Sequence, residues 1–216
     1  MHTIISIVGK SGSGKTTLLE RLITALKERG YKVGIVKHSH HGNDLDTAHK
    51  DTWRYTKAGS EFSAINSLDH LAIYRRIDSY FDPREVSDFV LWDYDIILTE
   101  GFKGSPYPKI EVYNSKLGKD LLTPIDQLLA VVSEEPLDIA VPRFKRDDVT
   151  AIADLIETTM KEANGRDDVN VIINGKPLDL TDEEQERLEQ ALLAVLPEKE
   201  NNGSLKNVHI SLRRKA

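Results

Sequence analysis

Eight residues near the amino end, Gly9-Lys10-Ser11-Gly12-Ser13-Gly14-Lys15-Thr16, have the spacing G-x-x-x-x-G-K-[ST]. This is the spelling of a phosphate-binding loop. Glycines such as Gly12 and Gly14 reach backbone angles closed to other residues, so successive N–H groups can turn inward around phosphate oxygens. A helix opening at Lys15 would add the positive end of its dipole. Lys15 is suited to reach the terminal phosphates as a mobile point charge. The Thr16 hydroxyl is suited to ligate Mg²⁺, a hard cation usually bound together with nucleotide phosphate.

A second set of candidates lies where other strands should end. Asp95 to Thr99 reads as a buried strand closing in Glu100-Gly101, and in a parallel sheet ligands collect at the carboxyl ends of strands. Asp95 opens that strand, away from the loop, and Glu100 closes it on the side of the phosphates. Glu100, not Asp95, is therefore the expected acid facing Mg²⁺ or its coordinated water, beside Lys15 in the reacting region. Lys37, His38, His40 and His41 leave their strand at the same edge. Three histidines within four residues could ligate a transition metal, but no cysteine or evident carboxylate completes such a set. A basic loop meeting an anionic ligand is the preferred reading.

These residues need a scaffold. Thr3 to Val8 is a β-branched apolar run expected as a strand buried on both faces. Thr16 to Arg29 carries Leu18, Leu19, Leu22, Ile23 and Leu26 on one helical stripe and stops at Gly30. Further strands are expected at Lys32 to Lys37, Phe62 to Asn66, Leu71 to Ile77, Ile110 to Tyr113 and Leu128 to Val132, the third of these exposed or antiparallel. Helices are expected through Trp53 to Ala58 with Thr47 as cap, from Asp82-Pro83 to Trp92, and from Asp147 to Ala163. Strands alternating with helices predict an α/β fold, a doubly wound and mostly parallel sheet of the P-loop NTPase kind over residues 1–163. Residues 164–168 read as a linker. Residues 169–216 read as a small β-β-α-β unit: a hairpin turning at Asn174-Gly175, a helix capped by Thr181 with Glu184, and a strand from Val208 to Leu212.

Composition narrows the class. The 216 residues include no cysteine, which excludes disulfides and thiolate chemistry. A charged fraction of 30% with a formal net charge of -6 argues against general nucleic-acid binding. No apolar run approaches the roughly 20 residues needed to span a bilayer, and Met1-His2 leads straight into the first strand rather than a signal peptide. A cytoplasmic protein is expected.

With these residues in view, the chain resembles the molybdopterin-guanine dinucleotide biosynthesis protein B (MobB) family. The resemblance rests on Gly9 to Thr17; on Lys37-His38-Ser39-His40-His41 with Asp46, Lys50-Asp51-Thr52-Trp53-Arg54 and Ala58-Gly59; on Thr99-Glu100-Gly101-Phe102-Lys103; and on Pro108-Lys109-Ile110-Glu111-Val112. It covers about the first 160 residues. It implies a GTP-binding, dimeric protein of molybdenum cofactor biosynthesis that hydrolyses GTP poorly. Such a protein works beside the MobA-like nucleotidyltransferase that joins GMP to molybdopterin. Carried onto this chain, the resemblance implies that Gly9, Ser11, Gly12, Ser13, Gly14, Lys15, Thr16 and Thr17 hold GTP, that Thr16 and Glu100 serve Mg²⁺, and that the His38 to His41 and Phe102 to Lys109 loops face the molybdopterin cofactor, its precursor or the partner.

No Asn-Lys-x-Asp segment, a common guanine reader, occurs. The corresponding stretch is Val131-Val132-Ser133-Glu134-Glu135, where backbone groups and an acid could meet a guanine edge. Nor is there an evident glutamine or arginine finger for fast hydrolysis. The alternative function on the same scaffold is a small-molecule kinase or ATP-dependent ligase, for which Asp46 and Asp51 are the nearby carboxylates.

Overall fold

A computed structural model describes residues 3–38, 46, 49–77, 83, 94–163, 171–173, 176–178 and 180–194. At its centre is β1 (Thr3–Gly9), buried along its whole length. It lies between β5 (Ile96–Glu100) and β6 (Lys109–Val112), parallel to both. Adding β2 (Val33–Lys37), β7 (Leu128–Val132) and β8 (Arg143–Phe144) gives a six-stranded sheet in the order β2-β5-β1-β6-β7-β8, parallel at every pairing.

The apolar runs alternate between two faces. Ile5, Ile7, Ile96, Leu98, Ile110, Val112, Ala130 and Val132 pack against α1 (Lys15–Glu28) and α3 (Val149–Ala163). From those helices come Leu18, Leu22, Leu26, Ile152 and Ile156. Ile4 and Ile97 face the other way, onto Tyr107 and Val36. Both faces being covered, β1, β5 and β7 carry no polar alternation, as expected of a parallel sheet, whereas β6 alternates Lys109 and Glu111 with Ile110 and Val112. Each fully buried leucine or isoleucine contributes about 2 kcal/mol through removal from water. The two helices are also tied at their surfaces by Arg29, which reaches Asp154 at 2.9 Å and Glu157 at 3.3 Å.

Register puts the chemistry on one edge. Ile7 lies opposite Glu100, and Lys37 lies opposite Glu100 on its other side, so the ends of β1, β2 and β5 are level. Asp95 sits at the far edge, where its Oδ2 accepts from the Lys32 N–H at 2.7 Å.

Outside this sheet, β3 (Phe62–Asn66) and β4 (Leu71–Arg75) form an antiparallel ribbon, with Phe62 opposite Arg75 and Asn66 opposite Leu71. The helix before it, α2 (Asp51–Lys57), starts later than the sequence suggests. Lys50, not Thr47, occupies its N-cap position, without a side-chain cap, so the first turn relies on Asp51 near its positive end. The expected helix from Asp82 to Trp92 lies outside the described residues except Pro83, which is helical. The two-residue β8 has no periodicity to announce it. Toward the carboxyl end, β9 (Val171–Ile173) and β10 (Lys176–Leu178) pair antiparallel. After them, α4 (Asp182–Leu193) begins with a capping box between Thr181 and Glu184. The expected linker at 164–168, the turn Asn174-Gly175 and the strand from Val208 to Leu212 fall outside the described residues. None of the described helices is long and apolar enough to cross a membrane.

Candidate functional site

Residues 9–14 leave β1 through backbone angles that need glycine. Gly9, Gly12 and Gly14 have φ of 148°, 75° and 96°. At Gly9 a Cβ would stand 2.5 Å from the Val112 carbonyl oxygen and 2.7 Å from Ser13 Oγ, so no larger residue fits. The loop is closed by the Ser13 N–H donating to the Lys10 carbonyl at 3.1 Å. Gly14 is the N-cap of α1 and offers no side-chain cap. The first-turn N–H groups therefore remain open to an anion, the arrangement that binds phosphate.

Lys15 folds over this loop and donates to the Lys10 carbonyl at 2.9 Å. Burial lowers its pKa below the ordinary lysine value; Glu100 opposes the shift, and the Lys103 and Lys37 ammonium groups add to it. Thr16 Oγ1 donates to Glu100 Oε2 at 3.1 Å. Lys37 Nζ approaches the other oxygen, Oε1, at 3.4 Å. Lys37 and Lys103 thus act on Lys15 together with a single carboxylate at the loop's mouth, an excess of positive charge suited to a polyphosphate.

The chain then turns sharply. Gly101 and Phe102 have φ of 95° and 56°, successive left-handed residues, the second a bulky one for which this costs about 1 kcal/mol or more. The Gly101 N–H donates to the Ile7 carbonyl at 3.0 Å, and the His38 N–H to the Glu100 carbonyl at 3.0 Å. A Cβ at Gly101 would stand 3.3 Å from His38 Cβ. The turn leaves the His38 ring against the buried Phe102 ring, centroids 5.0 Å apart and planes at 44°. The structure therefore brings His38, Glu100, Lys15 and Thr16 to one edge; His40 and His41 lie outside the described residues.

Loop 103–108 is held from beneath by Lys109, fully buried, whose Nζ donates to the Ser105 carbonyl at 2.6 Å, the Tyr107 carbonyl at 3.0 Å and Gln127 Oε1 at 3.0 Å. Burial among neutral acceptors lowers its pKa. Buried Glu111 accepts from the Leu122 N–H at 2.8 Å and the Thr123 N–H at 3.0 Å.

Sequence reasoning missed Arg146, which reaches the phosphate loop from 133 residues away. Its Nη2 donates to the Ser13 carbonyl at 3.0 Å, and its backbone N–H donates to Glu134 Oε1 at 3.1 Å. The only local signal was a basic pair, Lys145-Arg146, ahead of two aspartates. Of the alternative carboxylates, Asp51 is exposed and faces Arg54 of its own helix at 3.8 Å. Asp46 has an oxygen, Oδ2, that is buried without a hydrogen-bond partner among the described residues.

The model of the family described as molybdopterin guanine dinucleotide synthesis protein B, MobB, matches residues 4–134. The chain is 36% identical over 168 residues to the molybdopterin-guanine dinucleotide biosynthesis adapter protein of Haemophilus influenzae, covering 75% of this chain and 92% of that one. It is 33% identical over 175 residues to the adapter protein of the same name from Escherichia coli, covering 76% and 97%. Among solved structures, Bacillus subtilis MobB superposes with a TM-score of 0.58 at 28% identity, covering 73% of this chain and 97% of that one. A crystal structure of molybdopterin-guanine biosynthesis protein B gives 0.54 at 32% identity, covering 73% and 99%.

Proposed function

Because this chain belongs to the MobB family, we propose that it binds GTP with Mg²⁺ and presents it to the nucleotidyltransferase that attaches GMP to molybdopterin. Family membership makes it an adaptor of molybdopterin guanine dinucleotide biosynthesis. The observation that carries the nucleotide reading is the pairing of Thr16 with Glu100 at 3.1 Å, beside a loop that only glycine can form. Two hard oxygen donors facing each other at a phosphate cradle suit Mg²⁺, which would be held by Thr16 and by Glu100 or a water on Glu100. The ion would neutralise terminal phosphate charge, while Lys15, released from the Lys10 carbonyl, takes up the phosphate oxygens.

The second ligand, molybdopterin cofactor or its precursor, is assigned to the face formed by His38 and Phe102, which adjoins Glu100. Turnover of GTP is expected to be slow, since among the described residues the side chains that meet the Glu100 carboxylate are Thr16 and Lys37 rather than a water-orienting glutamine or an arginine. The protein is expected to act in the cytoplasm as a homodimer, and the exposed Phe62, Ile65 and Leu71 of the β3–β4 ribbon are apolar surface such a dimer could cover.

Titration calorimetry with Mg²⁺ tests the reading. Micromolar GTP affinity, weaker ATP affinity and loss of both in Lys15→Ala are expected. Equal affinity for the two nucleotides would remove the guanine assignment, and no binding of either would remove the site.

A further inference from the structure

The phosphate loop carries a lysine besides Lys15. Lys10 stands at a position whose residue type the spacing G-x-x-x-x-G-K-[ST] leaves open, and its ammonium could have been one more ligand for an anion. The structure sends it elsewhere. The half-buried side chain runs to the loop after β6, where its Nζ occupies the place that a Cβ on Gly118 would take; Cε and Cδ lie 3.1 and 3.6 Å from that place. Gly118 itself has a φ of 144°, which other residues rarely adopt, and any side chain there would displace the ammonium. The end of Lys10 shares a small cavity with Glu111, Asn114 and Asp120, two of them carboxylates.

The frame around this slot is fastened on several sides. Asn114 Oδ1 accepts from the Lys116 N–H at 3.0 Å and caps the short helical turn Ser115–Leu117, which the Gly118 N–H closes on the Ser115 carbonyl at 3.1 Å. Tyr113 Oη donates to the Lys119 carbonyl at 3.1 Å, and the two oxygens of Glu111 accept from the Leu122 and Thr123 N–H groups. Within the phosphate loop, the Lys10 carbonyl accepts from the Ser13 N–H at 3.1 Å and from Lys15 Nζ at 2.9 Å. One residue therefore joins the two loops, by its ammonium on one side and its carbonyl on the other.

We propose that Lys10 is a positioning residue of the anion site, its ammonium lodged in the slot that Gly118 leaves, so that the phosphate loop is held in its binding shape before a ligand arrives. A loop without this anchor must be ordered on binding, and each backbone residue fixed at that moment weakens affinity by about 10-fold. By reciprocity, an anion in the cradle must steady loop 114–120. This rests on the phosphate-binding reading above and adds what holds the loop in shape.

The test is a double-mutant cycle on the full chain, read by calorimetry with inorganic tripolyphosphate in magnesium-free buffer. Gly118→Ala keeps the Lys10 charge but displaces it, and affinity is expected to fall about 10-fold. Lys10→Ala loses the charge as well and is expected to fall at least as far. In the Lys10→Ala background, Gly118→Ala is expected to cost less than about 2-fold, since no ammonium is left to displace. Equal falls in both backgrounds would mean that Gly118 serves its own turn alone and would overturn the proposal, as would no fall in Gly118→Ala by itself. Hydrogen exchange decides the matter if Gly118→Ala does not fold. Saturating tripolyphosphate is expected to slow exchange of the Leu117 and Gly118 N–H groups, which donate to the Asn114 and Ser115 carbonyls, in the wild type but not in Lys10→Ala. Protection that persists in Lys10→Ala, or is missing from the wild type, would overturn the proposal. A wild type that binds no tripolyphosphate would instead overturn the phosphate site itself, a distinct failure.

Discussion

Two groups of lysines and glutamates lie within one loop of each other, and they have opposite fates. Lys15 at the sheet edge feels Glu100, Lys37 and Lys103, a cluster partly open to solvent and with more positive charge than the one carboxylate balances. Lys109 and Glu111, on the strand next to the phosphate loop, are wholly buried, and each is satisfied by fixed backbone and amide groups. The first group carries a surplus of positive charge suited to an anion, and the second is closed scaffolding. Residue type does not separate them; the number of neutral partners each ionic group has already found does.

The largest way to sharpen this contrast is Lys109→Met. It removes the donor from three acceptors under loop 103–108, and about 3 kcal/mol of stability should go with it, read as a lower denaturant midpoint. Nucleotide affinity measured well below the new midpoint should change little. A variant that keeps its stability and loses GTP binding would reverse the assignment of Lys109 to the scaffold.

Lys15→Ala is the mirror experiment. Removing this half-buried ammonium should lower GTP affinity by about 100-fold while leaving the folded state as stable as before or more so, since its pKa is depressed mainly by burial. A fall in thermal midpoint comparable with that of Lys109→Met would erase the distinction.

Glu100→Gln should have a smaller effect, confined to the metal. The carboxylate that meets Thr16 and Lys37 becomes a neutral amide, so the gain in GTP affinity on adding Mg²⁺ should shrink by about 10-fold, with affinity in the absence of metal unchanged or improved. Titrating GTP with and without Mg²⁺ separates this from a general loss, which would place Glu100 with Glu111 as a structural acid.

The same contrast explains what the amino-acid sequence made legible. The phosphate loop, α1 and Glu100 could be read because local spacing fixes them: a strand, a glycine turn, a helix, and an acid at the end of a neighbouring strand. The alternation from Leu71 onward suggested an exposed or antiparallel strand, and the structure pairs Leu71–Arg75 antiparallel with Phe62–Asn66. Lys109 and Glu111 could not be read as buried, because two charged residues alternating with apolar ones look like a half-exposed strand. Only the position of β6 between β1 and β7, with loops folded over its second face, removes them from water. Arg146 was invisible for a related reason, since its meaning lies in Ser13, and a two-residue strand ahead of it gave no sign of where the chain would return. Thr47 looked like a cap by type, yet the helix begins after Lys50.

The smallest effect expected is that of pH, and it probes the open cluster from within. In the free protein burial holds the Lys15 pKa below the ordinary lysine value of 10.5, Glu100 pulls it back, and Lys103 and Lys37 push it further down. A bound triphosphate favours the ammonium, so binding raises that pKa. The liganded state then holds more protons than the free state at any pH between the two values, and affinity must fall as pH rises through the free-state value. Affinity should begin to decline below the ordinary lysine value of 10.5 as pH rises, with proton uptake seen as a buffer-dependent enthalpy in calorimetry. Replacing both Lys37 and Lys103 by glutamine removes two of the groups that depress Lys15, so the decline should move to higher pH even as overall affinity drops. If the decline stays where it was, the three ammonium groups do not act on one another, and the open cluster is no more coupled than the closed one.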